Sequence, residues 1–333
     1  MTLKELAQLA GVSPAAVSLV LNNKAGVGEE KRQEILQLMK EHNYTPTKRT
    51  QHTPSNLLFL KYIKNGHLVE ENTGFIASIM DSIEAECRSR GYSLRIVVSN
   101  NNLEQTLHEI DFSSVNGIFV LGTELDPTSY PILNEIPVPY IVIDNDMPNF
   151  HCNTITMANQ EMVYEAISHL ASLKNGTAEL GYFRSCMPTQ NFAERANGFR
   201  LAANDYNFTH SESSIFLLQP TMLGAYSDMK HYLEKDIQIP KFCFADNDTI
   251  AIGAIKALKE FQYKLPKDIY VIGFDDIGFA AINSPTLSTM RVHKNQIGYL
   301  AVKSLNDSIR DSSHRNVKIQ VGGEIIVRQS TTP

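Results

Sequence analysis

Apolar positions follow two rhythms along this chain. In the first 46 residues they recur at three- and four-residue spacing, the signature of short amphipathic helices. Leu3, Leu6, Ala7 and Ala10 share one helical face, and Thr2 is available as its N-cap. Gly11, which tolerates positive φ, lets the chain turn. Ser13 caps a second helix, Pro14 occupies its first position, and Val17, Val20 and Leu21 form its apolar side. The spacing predicts a third helix between Gly28 and Tyr44, carrying Ile35, Leu38 and Met39 and ending at Tyr44-Thr45-Pro46. Two short helices and a tight turn are helix-turn-helix geometry, in which the second helix enters the major groove of DNA. A structural hairpin would show the same two-helix pattern; the third helix favours the DNA-binding module.

The second rhythm begins at Leu57, after a polar, proline-punctuated linker over residues 47–56. Short, nearly continuous apolar runs alternate there with amphipathic stretches. Strands are predicted at Leu57–Ile63, Leu94–Ser99, Gly117–Leu121 and Pro139–Ile143, with helices at Phe75–Arg90, Leu103–Ile110 and Tyr130–Glu135 between them. A second set has helices at Glu161–Leu173, Phe192–Tyr206, Ala225–Leu233 and Thr249–Phe261. Its strands are Leu180–Phe183, Ile215–Leu218, Phe242–Ala245 and Ile269–Phe274. Apolar strands separated by helices mean parallel sheets covered on both faces, so two Rossmann-like lobes are expected. The remainder, Leu287–Val292, Gln296–Ile309 and Gly323–Val327, is too little for a third lobe and should cross back to complete the first two. We divide the core, residues 57–333, into a first lobe of 57–156 and 290–316 and a second of 157–289 and 317–329.

Composition narrows the function. Among the 333 residues no apolar run approaches the roughly 18–20 needed to span a bilayer. The N-terminus lacks a basic-then-apolar secretion pattern, so a cytoplasmic address is expected. The four cysteines, Cys87, Cys152, Cys186 and Cys243, are scattered and read as reduced thiols rather than a metal site or disulfide framework. Residues 1–50 hold seven Lys/Arg and five Asp/Glu, a net of +2, whereas the rest carries −8. An acidic body repels phosphate, which confines nucleic-acid contact to the N-terminal module. No glycine-rich phosphate loop, nucleophile elbow or metal-spaced His/Cys/Asp cluster is present, so neither enzyme activity nor a cofactor is expected.

Four positions at strand ends or helix starts can face a cleft beyond the carboxyl ends of the sheets: Asp144, Arg195, Asn247 and Asp275. A guanidinium, two carboxylates and an amide suit bidentate hydrogen bonding to adjacent hydroxyls. Phe75, near the mouth of the first lobe, joins them as a candidate, with a core role as its alternative. Asp248 reads better as the N-cap of the following helix.

The order T-x-x-x-x-A-x-x-A-G-V-S-x-x-x-V-S-x-x-L-N, then a helix, then Y-x-P, resembles the headpiece of the lac-repressor/gal-repressor family. The alternating body resembles that family's periplasmic-binding-protein-like core, so the likeness covers nearly the whole chain. Its R-x-x-G-[FYW], N-D-x-x-A-x-G and G-[FY]-D motifs match Arg195–Phe199, Asn247–Gly253 and Gly273–Asp275, which implies effector-binding roles for Arg195, Asn247 and Asp275. The resemblance places DNA contacts at Thr2, Ser13, Pro14, Ala15, Ala16, Ser18, Leu19, Asn22, Lys31 and Tyr44. It adds Lys48 and Arg49 of the linker as phosphate contacts. The base-reading positions fall at Pro14, Ala15 and Leu19. Leu19 replaces a frequent arginine, so the operator should depart from typical family sites. The hinge positions usually held by alanine and a wedging leucine are Thr50 and Thr53, which implies weak or absent kinking of the duplex.

Together these readings describe a homodimeric repressor on a roughly palindromic operator, modulated by a small effector. A carbohydrate is the leading class, although Gln219–Leu223 offers no aromatic ring to stack on a sugar, and purine-like effectors stay open. Helices Phe75–Arg90 and Leu103–Ile110 are candidate dimer faces. The sequence ends at Pro333 without a heptad tail, so a coiled-coil tetramer is not expected. The alternative is a cytoplasmic small-molecule-binding protein with a degenerate headpiece.

Overall fold

In a computed structural model of the chain, residues 3–21, 26–42, 56–66, 73–311, 313 and 315–332 are described, with the backbone alone at 3, 4, 15, 18 and 73. Thr2, Asn22, Tyr44, Lys48, Arg49, Thr50 and Thr53 lie outside the described residues. The chain divides into two compact units, Met1–Pro54 and Ser55–Pro333.

The first unit holds α1 (Leu3–Leu9), α2 (Pro14–Leu21) and α3 (Glu29–Glu41). Leu6, Ala7, Ala10, Val17, Val20 and Ile35 are buried together, with Leu38 and Met39 packed against them. The turn forms as its residues require. Gly11 takes φ +62°, and the Ser13 hydroxyl oxygen accepts from the Ala16 N–H at 3.2 Å as the cap of α2.

The second unit begins with β1 (Asn56–Ile63), α4 (Thr73–Ser89), β2 (Ser93–Asn100), α5 (Leu103–Glu109), β3 (Gly117–Leu121), β4 (Tyr140–Ile143) and β5 (Asn153–Met157). It continues with α6 (Asn159–Ser172), β6 (Ala178–Ser185), α7 (Gln190–Asp205), β7 (Phe208–Thr209), β8 (Ile215–Leu218), α8 (Met222–Glu234) and β9 (Phe242–Ala245). Then come α9 (Asp248–Glu260), β10 (Tyr270–Asp275), α10 (Gly278–Ile282), β11 (Ser288–Val292), α11 (Lys294–Arg310), β12 (Lys318–Val321) and β13 (Gly323–Ile326). Among the described residues the strands form two sheets. One runs β12-β5-β4-β3-β1-β2, and the other β13-β11-β10-β9-β6-β7 with β8 beside β6. All neighbours are parallel except β11 and β13. Phe59, Phe119, Ile141 and Ile155 anchor the first lobe; Tyr182, Phe244, Ile272 and Phe274 anchor the second.

The chain passes between lobes three times, at Ala158, His293 and Gly322. The last two correct the expected boundaries. Residues 290–292 belong to β11 of the second lobe, where Met290 and Val292 complete the core beside β10. Residues 318–321 are β12, which pairs with β5 of the first lobe. Only Gly322 separates β12 from β13; the expected strand Gly323–Val327 is β13, and β12 was not expected. β5 escaped prediction because its threonines break the apolar run, yet Thr154 and Thr156 are fully buried. Residues Tyr130–Glu135 form a 3-10 helix, and β1 starts at Asn56 within the expected linker.

Close packing fixes the helices that carry the site. A Cβ on Gly198 of α7 would stand 2.6 Å from the Gln160 carbonyl oxygen of α6. Gly198→Ala must therefore push α7 away from α6 and is expected to cost about 1–3 kcal/mol. Urea denaturation monitored through the tyrosines measures this as a lower midpoint, and an unchanged midpoint would contradict the contact.

Candidate functional site

Between the lobes of the second unit, one cleft is lined by Phe75, Asp144, Arg195, Asn247 and Asp275 together with Ile76, Thr123, Thr189, Asn191 and Phe192. All five effector candidates thus converge, from α4, the ends of β4 and β10, α7 and the start of α9. The chamber is narrow, about 30 Å³, space for one or two waters.

Arg195 is the centre, only 3% exposed. Its Nε donates to the Asn159 Oδ1 at 2.8 Å, and Nη1 donates to the carbonyl of Asp246. Nη2 lies 3.2 Å from the Met157 sulfur and 3.5 Å from the Asp275 carboxylate. The guanidinium carbon stands 3.7 Å from the centre of the Phe274 ring, a cation–π contact strengthened by burial. Three residues before it on α7, Phe192 borders the same chamber.

The carboxylates are presented by unusual backbone. Asp144 and Asp275 end their strands at φ +66° and +110°. A left-handed residue costs energy, more at +110° than at +66°, and such positions gather where a side chain must be aimed. Asp144 accepts from the Thr123 hydroxyl and from the Asn191 Nδ2 at 3.0 Å. Burial is the largest influence on its acidity and raises the pKa to about 6; Arg195 and the hydrogen bonds oppose that rise. Asp246, which accepts from the Tyr182 hydroxyl and the Ser185 N–H, is likewise pushed to about 6, chiefly by burial.

Asn247 corrects one sequence reading. Asn247, not Asp248, caps α9: its Oδ1 accepts from the Ile250 N–H at 2.9 Å. That leaves Nδ2 as the group it can offer the cleft. Asp248 turns inward instead, accepting from the Thr289 hydroxyl at 2.5 Å and the Ile277 N–H at 2.9 Å. Its burial, with Asp275 nearby, raises its pKa well above the usual carboxylate range.

Sequence reasoning missed Asn159, Asn191 and Thr123. Asn191 matters most, because it joins the lobes. From α7 it donates to both the carbonyl and the carboxylate of Asp144, and its Oδ1 accepts from the Asn159 amide at 3.0 Å. Amides and a hydroxyl in first turns and loops look like ordinary capping residues. Their spacing holds no signal for this role.

In the first unit, Ser13 and Pro14 are exposed at the start of α2, and Ala16 and Leu19 are half-buried. A Cβ on Gly26 would lie 3.1 Å from the Leu19 Cδ1, so the Leu19 side chain reaches toward Gly26. Lys31 is held by Glu34 at 2.8 Å on α3. Ala15 and Ser18 lie on α2, and only their backbones are described.

Asp144→Asn tests the buried charge. The amide keeps the shape, and the Thr123 hydroxyl can turn to accept from it. With a folded pKa raised from 3.8 to about 6, ionised Asp144 disfavours folding above pH 6 by up to about 3 kcal/mol. That cost fades as the pH falls from 6 toward 4. The variant is expected to be more stable than the wild type at pH 7 and to lose its advantage across this window. Urea midpoints at the two ends measure it; a difference independent of pH would refute the assignment.

Comparisons with known proteins agree with both units. A family model described as bacterial regulatory proteins, lacI family, matches residues 2–47, and one described as a periplasmic binding protein-like domain matches residues 167–331. The transcriptional repressor PurR of Pasteurella multocida (strain Pm70) is 29% identical over 337 residues, covering 99% of this chain and 98% of its own. A solved complex of the transcriptional regulator CelR with cellobiose has a TM-score of 0.73 at 21% identity and 99% coverage of both chains. The lac repressor dimer bound to operator and the anti-inducer ONPF has a TM-score of 0.73 at 20% identity, covering 100% of this chain and 99% of that one. At such identities the two structures share the fold. With a regulatory headpiece followed by a two-lobed core, in the same order over nearly its full length, this chain belongs to the lacI family of bacterial regulatory proteins.

Proposed function

We propose that this family member is a homodimeric repressor whose hold on an operator responds to a small, hydroxyl-rich molecule bound between its core lobes. The observation that carries the reading is the buried Arg195 between Asp144 and Asp275, with the Asn247 amide at the same cleft. Donors and acceptors alternate there, which suits vicinal hydroxyls. Cellobiose in the CelR complex is a ligand of that class. Asp144, Arg195, Asn247 and Asp275 are assigned the polar contacts, and Phe75 an apolar wall.

Entry of a ring into so narrow a chamber requires the lobes to part, which breaks the Asn191–Asp144 bonds. A ligand that replaces those bonds favours a different spacing of the lobes and so shifts the equilibrium between the two states. The cytoplasm, where operator DNA lies, is the assigned compartment; among the described residues no helix is long and apolar enough to cross a membrane. We assign no catalytic reaction to the cleft.

On the DNA side, α2 is assigned to the major groove. Ser13 and Pro14, exposed at its start, and Ala15, Ala16, Ser18 and Leu19 are assigned as its DNA-contacting positions. Lys31, Thr2, Asn22, Tyr44, Lys48 and Arg49 are assigned backbone contacts. Leu19 can contribute only apolar contact.

A two-fold operator calls for a second copy of the chain. The helix Leu103–Ile110 suits that contact less than expected, because α5 buries Leu103 and Leu107 and exposes Glu104, Gln105, His108 and Glu109. Apolar side chains are exposed instead on the edge strand β2, at Ile96 (52%) and Val98 (49%), beside α4. Unpaired edges with apolar side chains associate. We assign the dimer contact of the first lobe to β2 and α4, and that of the second to Leu223, Phe279 and Ile282.

Three measurements test these assignments. The full chain should bind the DNA upstream of its own gene, with affinity falling as salt rises; failure there and on a random-sequence pool would favour a headpiece without DNA function. Arg195→Ala should weaken the ligand response at least about tenfold, and an unchanged response would move the effector elsewhere. Val98→Glu should shift sedimentation from dimer toward monomer, whereas a fully dimeric variant would exclude β2 from the interface.

A further inference from the structure

A second chamber adjoins the Arg195 chamber, and Thr189 lines both. It is much larger, about 260 Å³, and both lobes build it. Lys64, Glu124, Asp126 and Tyr130 come from the first lobe, and Thr189 and Gln190 from the second. Ordinary small-molecule sites run from about 300 to 1,000 Å³, so the two chambers together approach the size of one site while the inner one alone does not.

The outer walls mix apolar surface with directed polar groups. Leu125, Pro127, Pro188 and the Tyr130 ring give flat apolar faces. Lys64 forms an ion pair with Asp126, and Glu124 is buried, its Oε2 accepting from the Lys64 and Asn65 N–H groups at 2.6 and 2.7 Å. Gln190 donates to Glu194 at 2.9 Å, which fixes its amide at the rim. A sugar ring has the matching surface, apolar C–H faces edged by hydroxyls.

Charge restricts the ligand further. Burial works against ionisation of Asp126, yet hydrogen bonds from Lys64 and Thr128 hold its pKa at about 2, so the Lys64 charge is already answered. Among the described residues the charged groups lining the two chambers are Lys64 and Arg195 against Glu124, Asp126, Asp144 and Asp275. Carboxylates outnumber cations, which opposes a phosphate or carboxylate on the ligand.

We infer that the outer chamber is a second ring-binding subsite and that the effector is an uncharged two-ring carbohydrate. One ring is held at Arg195 and the other between the Lys64–Asp126 pair and Gln190. This rests on the effector reading of the Arg195 chamber. Because the outer ring touches both lobes farther along the cleft, it adds contacts that depend on lobe spacing, and it separates two-ring ligands from their single-ring parts.

Calorimetric titration of the full-length protein tests the inference with cellobiose, maltose, lactose, trehalose and sucrose, their component monosaccharides, and glucose 6-phosphate. At least one disaccharide is expected to bind about tenfold or more tighter than its monosaccharides and the phosphate ester. The double variant Lys64→Ala/Asp126→Ala removes the ion pair without leaving an unpaired charge. It should reduce that disaccharide to monosaccharide affinity and leave monosaccharide binding unchanged, while Arg195→Ala should abolish both. If a monosaccharide or the phosphate ester binds at least as tightly as every disaccharide, and Arg195→Ala abolishes that binding, the outer subsite is overturned and the effector site stands. Equal weakening of both ligand sizes by the double variant also overturns it. If no sugar binds, the carbohydrate reading of the inner chamber falls, and the second subsite with it.

Discussion

Burying a guanidinium is the constraint on which this core depends. Arg195 is removed from water, and an ion of that kind costs several kcal/mol unless its hydrogen-bonding positions are filled. The protein fills them from several elements at once: the Asn159 amide on α6, the Asp246 carbonyl after β9, and the Asp275 carboxylate at the end of β10. Phe274 closes the remaining face. Each partner must in turn be held. Hence two aspartates with left-handed backbone, an asparagine that both caps α9 and faces the cleft, and a glycine on α7 where the helix presses against α6.

The same constraint couples the lobes. Asn191 lies one turn before Arg195 on α7, and its amide reaches across to Asp144 of the first lobe. The group that anchors the cleft and the group that bridges it therefore move with one helix. A change in the Arg195 environment is a change in the bond between lobes, with no longer pathway needed.

Much of this was legible from residue order, and the reasons differ by element. Strands buried on both faces, such as β3 and β10, announce themselves as apolar runs, and α9 by its helical spacing. β5 does not, because its interior threonines look like surface residues until the lobes cover them. Strand-end residues with directional chemistry, Asp144 and Asp275, could be picked out because parallel sheets aim their carboxyl ends at a cleft. Asn191 could not. Its role depends on a partner 47 positions away in the other lobe. Asp248 misled for a related reason: a carboxylate at a helix start reads as a cap, and only the packed structure shows Asn247 in that place. The exposure of Ile96 and Val98 was equally hidden, since an apolar strand has the same pattern whether or not it lies at an edge.

The exchange of β12 and β13 between lobes has a bearing on how the chain is made. Each sheet waits for a strand from the last segment of the polypeptide, so neither lobe can close early. The three-helix unit has no such debt, because among its described residues the buried ones lie between Leu6 and Ile35. On the ribosome the part that reads DNA can be complete while the part that senses the effector still lacks both of its sheets' final strands. A chain broken off before residue 318 would carry a complete three-helix unit joined to an unfinished core.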